Sequence, residues 1–81
     1  MKLPRNLTGS QLIKALELLD YKATRQAGSH VRLTCALPKE HHITVPLHDP
    51  LRIGTLAAIL ADIATHQSTT RDELIQKLFG K

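Results

Sequence analysis

Eighty-one residues make one small domain of about 9 kDa, with 42% hydrophobic and 22% charged residues, which excludes a disordered or fibrous chain. No apolar run approaches the ~20 residues of a membrane-spanning helix, and no signal-like apolar segment follows Met1, so a cytoplasmic protein is expected. Cys35 is the lone cysteine, which excludes an internal disulfide and a CxxC zinc site.

Eleven Lys and Arg against seven Asp and Glu leave a net charge of +4. The excess lies in the middle. Between positions 22 and 52, Lys22, Arg25, Arg32, Lys39 and Arg52 face only Glu40 and Asp49. His30, His41, His42 and His48 lie in the same stretch. A basic, histidine-rich segment between near-neutral flanks points to an anionic partner, although a merely solvated basic face has the same composition.

In chain order, Thr8-Gly9-Ser10-Gln11 has the T-x-x-Q spacing of a capping box, and Leu12, Leu16 and Leu19 then share one helix face up to Asp20. Tyr21 to Arg25 reads as a strand, and Gln26-Ala27-Gly28 as the turn, with Gly28 free to take positive φ. Ser29 to Cys35 alternates, with Val31, Leu33 and Cys35 on one face and His30, Arg32 and Thr34 on the other. After the polar turn Pro38-Lys39-Glu40, the segment His41 to Val45 alternates again, with Ile43 and Val45 inward and His42 and Thr44 outward; Pro46 ends it. A loop carrying His48 leads to a helix opening at Gly54-Thr55, where Leu56, Ile59, Leu60 and Ile63 follow the helical period. Thr70-Arg71-Asp72-Glu73 caps a third helix with Leu74, Ile75 and Leu78.

The order predicts an α+β fold, α-β-β-β-α. A three-stranded antiparallel sheet carries two helices on one face, and an extra C-terminal helix follows over residues 68–79. One domain spans 1–81, with its core at about 8–65. The uncovered sheet face then presents His30, Arg32, Thr34, His42 and Thr44. Double-stranded RNA-binding domains share this element order.

Tyr21-Lys22-Ala23-Thr24-Arg25-Gln26-Ala27-Gly28-Ser29-His30 resembles the aromatic-x-x-x-R-Q-x-G-S-H segment of HicA-type toxins, the YcfA-like mRNA interferases. Val45-Pro46-Leu47-His48 resembles their V-P-x-H segment, and Ile53-Gly54-Thr55-Leu56-Ala57-Ala58-Ile59-Leu60 their G-T-L-x-x-I-L helix start. The resemblance runs over roughly residues 10 to 64. It implies a dsRBD-like fold, the toxin role of a type II toxin–antitoxin pair, and mRNA endoribonuclease activity that needs no metal or cofactor. It also implies a HicB-like antitoxin that covers the active surface, and a catalytic role for His30, which matches the histidine of G-S-H. His48 matches the second motif histidine. Asp20 stands where many members have Gly, and 68–81 extends beyond them.

Cleaving RNA without metal requires a base for the ribose 2′-hydroxyl, a stabiliser for the phosphorane and an acid for the leaving 5′-oxygen. Histidine serves either proton role near neutral pH. His30 is the candidate catalyst, with His48 or His42 as a second acid or base. Arg32 and Arg25 are candidate phosphate ligands, and Lys22 and Lys39 add general attraction. The expected products are a 2′,3′-cyclic phosphate and a 5′-hydroxyl.

The bland alternatives are specific. His30 could be a solvated hairpin residue, and His48 a loop hydrogen-bonding residue. Arg32 could pair with Glu40. The adjacent His41 and His42 point to opposite faces and do not make a metal site. A different class of function is a non-catalytic RNA-binding or protein-interaction module, with Thr70 to Leu78 recruiting a partner or forming a homo-oligomer. The start of the second helix lacks the Lys cluster of dedicated dsRNA binders.

Overall fold

The structure is a computed structural model that describes residues 3–80. Helix α1 spans Gly9–Leu16 and continues as a 3₁₀ turn over Glu17–Leu19. Strands β1 (Lys22–Ala27), β2 (His30–Cys35) and β3 (His41–Pro46) form one antiparallel sheet in the order β1-β2-β3. Helices α2 (Ile53–His66) and α3 (Arg71–Phe79) complete the expected α+β fold. No described helix is long and apolar enough to cross a membrane.

Local chemistry sets the boundaries. Thr8 caps α1 reciprocally: its hydroxyl accepts from Gln11 N–H at 3.1 Å, and its own N–H donates to Gln11 Oε1 at 2.9 Å. Thr70 accepts from the Glu73 N–H at 3.1 Å, but its hydroxyl donates to the Glu73 carboxylate, so the second box lacks its return bond to the backbone. The helix ends at Asp20, which holds φ 63° and ψ 26°. That left-handed conformation explains why a glycine suits this position. The β1–β2 turn lies one residue later than expected. Ala27 pairs with His30, leaving Gly28 and Ser29 as a two-residue loop with Gly28 at φ 59°.

The core lies between the helices and one sheet face. Leu12, Leu16, Tyr21, Leu33, Val45, Leu56, Leu60, Ile63 and Leu74 are almost fully buried, and Cys35 joins them as a small core residue. Leu74, Ile75 and Leu78 of α3 are also in this cluster. The apolar side of the helix expected to recruit a partner or form a homo-oligomer is therefore packed inside the molecule.

Gly9 is the point of closest approach. It is buried, and a Cβ there would overlap the Pro46 carbonyl oxygen and meet Leu47 Cα at 3.0 Å. Its N–H donates to the His48 carbonyl at 3.0 Å. Both obstacles are backbone, so an alanine forces α1 away from the loop after β3. Gly9→Ala is expected to lower stability by roughly 1–3 kcal/mol, measured by urea denaturation. An unchanged midpoint would show that the loop yields freely.

Candidate nucleic-acid interface

The helices leave the opposite sheet face open, and register sorts its side chains into three rows. The first holds Ala27 and His30, beside the buried Pro46; the second Arg25, Arg32 and Thr44; the third Lys22, Thr34 and His42. Rows one and three are four residues apart along β2, roughly 13 Å.

Arg25 reaches this face through a β-bulge. Register shifts between Ala23 and Arg25, so Thr24 and Arg25 both lie on the open side. Without the extra residue, strict alternation turns Arg25 to the core side, opposite Val31. With it, Arg25 stands directly across from Arg32. Like charges so placed cost roughly 0.2–1 kcal/mol. Neither guanidinium has an ion-pair partner among the described residues. Glu40 does not neutralise Arg32; its carboxylate takes a 2.7 Å hydrogen bond from His42.

His30 is exposed at the start of β2. The chain after β3 runs beside it, because Leu47 N–H donates to the Ser29 carbonyl at 2.6 Å. The loop is held again where the His48 carbonyl accepts from Gly9, and where Leu51 N–H donates to the Leu7 carbonyl at 2.7 Å. His48 itself is exposed, two residues past Pro46, the cross-strand partner of His30. His42 lies in the third row. Both its ring nitrogens are engaged, Nδ1 with Thr34 Oγ1 at 2.8 Å and Nε2 with Glu40. The fold thus brings His30 to the His48 loop and to the arginine pair, and separates it from His42. Lys22 lies in the third row, and Lys39 is exposed in the turn beyond it.

His41 points the other way, into a polar cluster that periodicity alone did not reveal. Its Nδ1 meets the Tyr21 hydroxyl at 2.6 Å and its Nε2 meets Asp62 Oδ1 at 3.2 Å. Ionised Asp62 can only accept, so Nε2 carries a proton, and in the neutral imidazole Nδ1 accepts from the phenol. The His66 ring stacks on His41 at 4.3 Å. The available signal was parity: His41 shares the inward face with Ile43 and Val45, where an imidazole needs partners. Burial pushes the Tyr21 phenol up to about 12. A raised acid pKa leaves its stabilisation intact below the ordinary value of 10.0, and the loss progresses as pH rises through the folded value. Tyr21 is the only tyrosine and there is no tryptophan. Tyrosinate absorbance should therefore rise near pH 12 in the folded protein, with stability falling from pH 10 upward. A transition at 10 in the folded state would contradict the burial of the phenol.

No three His, Cys, Asp or Glu side chains converge in a metal-binding arrangement among the described residues. A cavity of about 650 Å³ lies between the N-terminal segment and the starts of α2 and α3, and none of its lining residues belongs to the open face.

Fold and face define a small α+β protein with a basic, histidine-bearing open sheet face. The chain belongs to the HicA toxin family: the model described as the HicA toxin of bacterial toxin–antitoxin systems matches residues 9–64. Membership makes it a toxin of the mRNA-cleaving kind, with RNA as substrate and an antitoxin as partner. No curated protein and no solved structure matches the chain.

Proposed function

We propose that the open sheet face is a metal-independent endoribonuclease site and that His30 moves the proton of the attacking 2′-hydroxyl. The observation that carries this reading is the Arg25–Arg32 pair. Two arginines paired across β1 and β2, one row from His30 and without an ion-pair partner among the described residues, suit a phosphate and the charge that grows on a phosphorane. His48 is the second acid or base. His42 is too far along the sheet to share a phosphate with His30, and a general acid or base must come within ~3 Å of its proton. The products are a 2′,3′-cyclic phosphate and a 5′-hydroxyl, and a HicB-like antitoxin neutralises the toxin by covering this face. The resemblance to a dsRBD is one of element order and serves an open, strand-accepting surface.

Arg32→Ala tests the phosphate role. RNA affinity should fall, and the slope of log affinity against log salt should shrink by about one. An unchanged slope would make Arg32 a structural residue and would remove the observation on which the reading rests.

A further inference from the structure

The third row lies away from the cutting step, yet its side chains are the most hydrogen-bonded on the open face. Glu40 accepts from His42 Nε2 at 2.7 Å, His42 Nδ1 meets Thr34 Oγ1 at 2.8 Å, and the Thr34 and Thr24 hydroxyls are 2.9 Å apart. An ionised glutamate only accepts, so Nε2 carries a proton, and in the neutral imidazole Nδ1 accepts from Thr34. Thr34 then accepts from Thr24. In that form the chain of bonds runs one way and ends on the lone pairs of Thr24 Oγ1, whose hydroxyl also lies 3.5 Å from the Arg32 carbonyl.

Those hydroxyls line a cavity of about 300 Å³ together with Asp20, Lys22, Ala36 and Leu37. Leu37 is 71% exposed, an apolar surface with nothing over it. An oriented acceptor, an ammonium donor and an apolar platform suit a flat ring with hydrogen-bonding groups on its edge.

We infer that this cavity holds the base of a flanking nucleotide, one outside the dinucleotide whose bond is cut. The inference rests on the RNA-cutting role proposed for the same face. Thr24 accepts from a ring N–H or exocyclic amine, Lys22 donates to a neighbouring ring acceptor, and Leu37 covers the ring face. Roughly 13 Å separates this row from His30, so one nucleotide cannot serve both places. A strand that passes from His30 over the arginine pair delivers its neighbour to the cavity. Glu40 and His42 are positioning residues: they fix which way the threonine hydroxyls point.

The test is binding, measured by fluorescence anisotropy in a His30→Ala background that leaves RNA uncut. A dinucleotide is compared with an oligoribonucleotide long enough to cross the sheet. Thr34→Val removes the hydroxyl while keeping shape and charge, so electrostatic attraction is unaltered. It should weaken the long RNA about tenfold, as the loss of an oriented base contact does, and leave the dinucleotide unchanged. Thr24→Val should do the same, and supplies the answer if Thr34→Val does not fold. Equal binding of the long RNA by parent and variants would overturn the cavity assignment and leave the cutting site standing. Failure of the parent to bind either RNA would overturn both.

Discussion

Replacing His30 by alanine is expected to lower RNA cleavage by roughly 10²–10⁴-fold, the usual contribution of a positioned general acid or base. The fold should be unaffected. His30 is exposed, pairs through its backbone with Ala27 and Pro46, and makes no side-chain hydrogen bond among the described residues. Circular dichroism and melting temperature should match the parent, and induced expression should no longer arrest growth or deplete mRNA. The contrast with Arg32 is informative. Loss of Arg32 should change affinity and its salt dependence, whereas loss of His30 should change rate. Wild-type cleavage by purified His30→Ala would remove His30 from the chemistry and turn attention to His48.

Leu60→Ala should behave in the opposite way. Leu60 is fully buried in α2, and truncating it leaves a cavity costing about 2–5 kcal/mol. A domain of 81 residues has roughly 4–12 kcal/mol of stability in all. The variant should therefore melt far lower, or fail to fold, and lose activity with its structure. A Leu60→Ala protein that keeps its urea midpoint would contradict the packing of α2 on the sheet.

Local patterns carried much of this architecture. The alternation from Val31 to Cys35 and from Ile43 to Val45 placed His30, Arg32, His42 and Thr44 on the open face, and the apolar spacing of α2 placed Leu56, Ile59, Leu60 and Ile63 in the core. Both helix-capping threonines were legible for the same reason, since their partners lie three residues away. The features that escaped depend on distant chain. The bulge at Thr24 is defined only by its pairing with β2, and a single extra residue changes the face of Arg25. The backbone approach of Gly9 to Pro46 and Leu47, and the tie from Leu47 to Ser29, join segments more than fifteen residues apart. The Tyr21–His41–Asp62 network likewise joins the residue before β1 to β3 and α2, and no local periodicity encodes it.

The most direct measurement is the chemistry of the cut. Purified protein is incubated, in the presence of a chelator, with an oligoribonucleotide and with its deoxyribonucleotide counterpart. Cleavage of the RNA alone is expected, with a 2′,3′-cyclic phosphate and a 5′-hydroxyl at the new ends by mass spectrometry. Cleavage of the DNA, 5′-phosphate ends, or activity that disappears with the chelator would contradict a histidine-driven attack by the 2′-hydroxyl.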